Sequence, residues 1–157
     1  MTLRMTRRTA LFAPAAVGIA VLSGVGPARA GAVYTLDGVA IGGIDPISYY
    51  RSTGPRRGRP DLTATWQGAT WQFVTQDHRD QFAAAPERWA PCYGGYCAFA
   101  MSRGYALGSR ADVWLVADGR LYLFHALAVR DLFNRDQAMN IRLANEAWPM
   151  VSGALGG

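Results

Sequence analysis

Cys92 and Cys97 are the two cysteines of this 157-residue chain, and they close the two ends of the stretch "CYGGYC". Thiols at that spacing allow three kinds of chemistry: a disulfide, part of a metal site, or one reactive thiol beside an idle neighbour. Gly94 and Gly95 lie between them and, having no Cβ, let the backbone bend sharply. The following "YCAFAMSR" is compatible with a helix holding Cys97 in its first turn, where unpaired N–H groups and the positive dipole end favour a thiolate. Met101, four residues on, falls on the same helical face. Two thiolates and a thioether form a soft donor set suited to Cu(I). A Met at helical spacing fits a core position equally well.

Zinc asks for more. A structural zinc site takes four ligands, so Cys92, Cys97, His78 and His125 would all have to converge. His78 shares a helical face with Phe82, and His125 follows the strand "LYLF"; each also reads as a hydrogen-bonded, partly buried histidine. The disulfide competes for the same sulfurs. Closing so short a loop constrains the unfolded chain by about 2 kcal/mol, and an exported chain is free to make the bond. The spacing is not the C-x-x-C of thioredoxin-like enzymes and no β-α-β pattern surrounds it, which argues against catalytic exchange. The chain has no G-x-S-x-G, P-loop or H-E-x-x-H. A Cys97–His125 or Cys97–His78 dyad has only its residue types in its favour.

The start of the chain reads as an address. "MTLRMTRR" is basic, "ALFAPAAVGIAVL" over 10–22 is an apolar run too short to span a bilayer, and "ARA" at 28–30 suits a signal peptidase. Residues 1–30 are expected to be a signal peptide, with cleavage before Gly31. Arg7-Arg8 in "TRRTALF" fits the twin-arginine type, and the destination is periplasmic or extracellular. The whole chain has 16 basic and 11 acidic side chains, a net charge of +5. Arg4, Arg7, Arg8 and Arg29 leave with the signal, so the mature protein keeps 12 against 11, or +1. That is too little for nucleic acid binding, and the "RRGRP" cluster (Arg56, Arg57, Arg59) reads as a solvated loop. No second apolar span follows the signal.

These residues need a scaffold, and the rest of the sequence indicates one. "AVYTLDGVAIGG" reads as a short strand and a glycine-rich loop. Asp45 is a good N-cap with Pro46 at the first helical position. "LTATW" and "TWQFV" alternate around Gly68 and read as an antiparallel hairpin. Thr75 caps the helix "QDHRDQFAAA", which Pro86 closes or restarts. "VWLVADGRLYLF" is a second hairpin, its Asp118-Gly119 favoured in type I′ turns. The remainder is helical, with Pro149 as a stop and "VSGALGG" as a tail. No repeat stands out along the chain. The five tryptophans fit core positions. The expected class is therefore α+β: a small antiparallel sheet built from two hairpins, packed with several short helices.

From about Gly43 to Val151 the chain resembles the exported, single-domain branch of the YHS-domain family. The carriers are "IDPISYY", "WQGATWQF", "FAAAPERWAPCYGGYCAFA", "DGRLYL" and the closing "WP", with "YGGYCA" the most specific. The resemblance implies one compact α+β domain, which with the residue reading spans 31–151, and an association with metal handling that passes to Cys97 alone; residues 152–157 are expected to be a flexible tail. Cys92 stands where the family favours a polar residue, His125 where it favours Tyr, and His78 where it favours Asn. The combined reading favours a binding module over an enzyme. Its ligand is a copper or zinc ion centred on Cys97 with Cys92 and Met101; the alternative is a metal-free domain with a Cys92–Cys97 disulfide in a structural or thiol-redox role, or one that binds another exported protein.

Overall fold

The computed structural model describes residues 32–156, so the signal peptide expected over 1–30 lies outside the described residues. Two short strands come first, β1 (Thr35–Leu36) and β2 (Val39–Ala40), turned on Asp37 and Gly38. The expected hairpin follows as β3 (Arg59–Trp66) and β4 (Ala69–Phe73). Gln67 and Gly68 join it with φ of 49° and 75°, two left-handed residues that match the twist of the strands. β2 adds to β4 in parallel, so the sheet order is β1-β2-β4-β3. Asp45 caps the 3-10 helix Pro46–Tyr50, its Oδ1 accepting from the Ile47 N–H at 2.9 Å. Thr75 caps α1 (Gln76–Ala84), and Pro86 opens α2 (Pro86–Trp89). Trp71 and Phe73 meet Phe82 of α1 with ring centroids 5.0 and 5.2 Å apart.

The second half runs from a 3-10 turn, Cys92–Gly95, through α3 (Ala98–Met101) to β5 (Arg110–Ala117) and β6 (Arg120–Phe124). Helices α4 (Leu127–Arg135) and α5 (Gln137–Leu155) complete it. The architecture is α+β. Its two long hairpins lie in separate sheets, and the first sheet gains the β1–β2 pair.

The two halves are copies of one plan, which corrects the expectation of no repeat. Each pairing of β3 with β4 has a counterpart in β5 and β6 exactly one repeat further on: Arg59 with Phe73 and Arg110 with Phe124, then, past the same irregularity, Trp66 with Ala69 and Ala117 with Arg120. The offset is 51 residues throughout, as from Phe73 to Phe124. Both turns are left-handed at both residues, and both hairpins lead into a nine-residue helix. Arg59–Asp61 and Arg79–Asp80 ion pairs recur as Arg110–Asp112 and Arg130–Asp131. Upstream the offset is 52: Ile41, Gly42 and Gly43 have φ of 44°, 66° and 77°, and Tyr93, Gly94 and Gly95 have 55°, 61° and 86°. Asp45 and Cys97 then occupy the same place, each the N-cap of a short helix. The Asp45 N–H donates to Arg56 O at 2.9 Å and the Cys97 N–H to Leu107 O at 2.8 Å. Few side chains are shared, chiefly Gly68/Gly119, Phe73/Phe124, Phe82/Phe133 and the ion-pair residues.

Stacking the copies creates two cores with β6 between them. Leu121 and Leu123 face the core of the first unit, while Tyr122 and Phe124 face that of the second. At the matching places β4 carries Thr70 and Gln72, which are only half-buried, because no unit lies outside them. α5 closes the second core and runs through Pro149 to Leu155, correcting the expected stop and the expected flexible tail. Pro149 cannot donate a backbone hydrogen bond. Burial of Val151 and packing of Leu155 on the second core outweigh that loss and hold the last turns helical.

Candidate functional site

The turn that positions the cysteines is held from several sides. Tyr93 adopts a left-handed φ of 55°, unusual for an aromatic residue, and its hydroxyl donates to Asn145 Oδ1 of α5 at 2.9 Å. Gly94 passes so close to the Ala32 carbonyl that any side chain would collide with it. Its own carbonyl accepts from the Tyr34 N–H at 2.9 Å, and that of Gly95 from the Ser109 hydroxyl at 2.6 Å. Cys92 and Cys97 sit at the two ends of this pinned turn, both as free thiols.

Cys97 is fully buried and is the N-cap of α3 rather than part of its first turn. Met101 is fully buried too, and its N–H donates to the Cys97 carbonyl at 3.0 Å, so the two side chains leave α3 one turn apart. Cys92 belongs to the same buried cluster, with Tyr122 and Phe133. It is 8 % exposed and lines a cleft of about 140 Å³ with Arg120, Glu87, Gln67, Trp66 and Trp148. Burial pushes the Cys92 thiol up; the positive charge of Arg120 and hydrogen bonds from Tyr122 and Arg120 oppose that without overcoming it. Cys92 is therefore a neutral thiol at pH 7. Burial and then the neighbouring sulfur push Tyr50 up to about 12.

The histidines are elsewhere. His78 Nδ1 donates to Asp45 Oδ2 at 2.6 Å, an oxygen that also accepts from the Val74 N–H at 2.8 Å. Asp45 is fully buried and accepts three hydrogen bonds, the third from the Ile47 N–H, so His78 serves the first unit's frame. His125 is exposed and donates from Nδ1 to Gly108 O at 3.0 Å. Among the described residues, no three His, Cys, Asp or Glu side chains gather in one group. The four-ligand zinc arrangement is thus not assembled, and neither cysteine–histidine dyad is formed by these hydrogen bonds. Cys92, Cys97 and Met101 belong to one water-poor cluster of twelve buried residues, with both thiols free.

Sequence reasoning missed Arg120 and Tyr122, the two side chains that act on the Cys92 thiol. They sit at the start of β6, and only the pairing of that strand beside the cysteine turn brings them there. Of the five tryptophans expected at core positions, Trp71 is fully buried, while Trp66, Trp89, Trp114 and Trp148 are half-buried against the two cores, and Trp66 and Trp148 also wall the cleft. A larger hollow, about 530 Å³ beside Tyr34, Tyr96 and the β3–β4 turn, holds no thiol, imidazole or carboxylate. No helix among the described residues is long and apolar enough to cross a membrane. No family model, curated protein or solved structure matches the chain.

Proposed function

We propose that this protein is an exported, YHS-like binding module that holds a soft metal ion, Cu(I), through Cys97, Cys92 and Met101. The observation that carries this reading is that the three sulfur residues share one buried cluster with both thiols free, while both histidines are engaged elsewhere. Two or three sulfur donors satisfy Cu(I), whereas Zn(II) asks for four ligands, which favours copper over zinc here. Loading replaces the two thiol protons, which leave to solvent, and the cleft at Cys92 is the side from which an ion can approach. The neutral state of the buried Cys92 thiol keeps the empty site stable, since a lone thiolate there would be poorly solvated.

The internal comparison adds weight. Cys92, Cys97 and Met101 take the places of Ala40, Asp45 and Tyr49 in the first unit, so the backbone plan does not itself require sulfur at any of them. The test is metal analysis of mature protein loaded anaerobically with Cu(I). Wild type is expected to retain copper, Cys97→Ser to lose it, and Met101→Leu to hold it more weakly. Copper retained undiminished by Cys97→Ser sinks the reading.

A further inference from the structure

Because the two units share one backbone plan, the first serves as an internal control for the second. Arg120 opens β6 opposite Ala117; the matching residue, Ala69, opens β4 opposite Trp66. There a methyl group, 2 % exposed, fills the position. In the second unit the same position carries Arg120, which lines one cleft with Cys92 and sets a positive charge beside its thiol. Tyr122 repeats the substitution: its counterpart Trp71 donates to Trp66 O at 3.2 Å within its own hairpin, whereas Tyr122 is buried in one cluster with Cys92 and helps to hold down its thiol pKa. Three positions that carry no ionisable group in one copy, Ala40, Ala69 and Trp71, become a thiol, a cation and a phenol in the other.

We propose that Arg120 sets the charge of the ion this site accepts, selecting a monovalent soft cation over a divalent one. The inference rests on the sulfur-site reading above. Binding a monovalent ion to two thiols releases two protons and leaves a complex of net charge −1 in the core. Such a charge is costly to bury unless an opposite charge stands beside it. Arg120 stands there, so the complex and the arginine together are neutral. A divalent ion on the same sulfurs gives a neutral complex and leaves the guanidinium with nothing to balance. Glu87, the other charge on the cleft, is exposed and opposite in sign, so it favours the divalent ion and Arg120 must act against it. Arg120, like Glu87, is exposed, and solvent screening keeps the effect moderate.

The experiment is anaerobic titration of the mature protein with Cu(I) against a chromogenic Cu(I) chelator, and in parallel with Zn(II), for wild type, Arg120→Gln and Arg120→Lys. Arg120→Gln is expected to weaken Cu(I) binding about tenfold while leaving Zn(II) unchanged or tighter. Arg120→Lys, which keeps the charge, is expected to restore most of the loss. A Cu(I)-to-Zn(II) preference unchanged in Arg120→Gln overturns this inference alone. Failure of wild type to bind either ion overturns the sulfur-site reading, and this inference with it. Circular dichroism and thermal melts of the same samples separate a lost charge from a lost fold.

Discussion

Position 45 in the first unit and position 97 in the second are the same place in the backbone with opposite chemistry. Both residues follow a left-handed turn, both cap a short helix, and both are fully buried. Asp45 spends its carboxylate on the frame, accepting from Ile47, Val74 and His78. Cys97 leaves that bonding to the backbone and contributes a sulfur to a cluster that already contains Cys92 and Met101. The difference separates what the fold needs from what has been added to it. The first unit answers its polar demands internally, and the second, supported by α5 and by the first unit's core, has room for groups with no structural duty.

Equivalent aromatic hubs give the strongest way to break the comparison. Phe82 packs on Trp66, Trp71 and Phe73, and Phe133 on Tyr122 and Phe124. Phe82→Ala and Phe133→Ala are each expected to cost about 3–5 kcal/mol in urea denaturation. A change near zero at either one ends the claim that the units are built alike. Next comes the divergent pair. Asp45→Ala strips three hydrogen bonds and leaves buried donors unmet, so a loss of about 3 kcal/mol is expected. Cys97→Ala removes one sulfur from a packed core and is expected to cost about 1 kcal/mol. Equal costs would mean Cys97 has the same structural duty as Asp45.

The two faces of β4 and β6 sharpen the stacking argument. Leu123→Thr puts a hydroxyl against the first core and is expected to destabilise by about 2 kcal/mol, while Gln72→Leu at the matching outer position should stay within about 0.5 kcal/mol. The smallest effect is in pH. The Cys92 thiol is raised above its ordinary value of 9.0, so the unfolded chain loses that proton first and the folded one retains it. Stability is thus fully present below about pH 9 and falls as pH rises further, with Tyr50 adding to the fall above 10. In Cys92→Ala the onset of the decline should move to higher pH; an unmoved onset would show that another group sets it.

Much of this frame was legible in the sequence because its signals are local. The Asp118-Gly119 turn, the Thr75 and Asp45 caps and the Pro86 restart each act within a few residues, and each is present. The repeat was not legible, because it is kept in φ angles and pairing register while the side chains changed: Trp71 against Tyr122, Asp45 against Cys97. The helix beyond Pro149 was missed because the burial of Val151 is a tertiary matter that a local stop signal does not carry. For the site, the sulfur trio came from spacing alone, whereas Arg120 and Tyr122 approach from a strand more than twenty residues away.

The most direct test of the added sulfur chemistry is native mass spectrometry of the protein isolated without reductant. The expected result is a reduced chain carrying a copper ion, with Cys97→Ser prepared the same way carrying none. A metal-free chain lighter by two hydrogens would contradict it: the two sulfurs would then be a disulfide, and the cluster a structural link with no ion to hold.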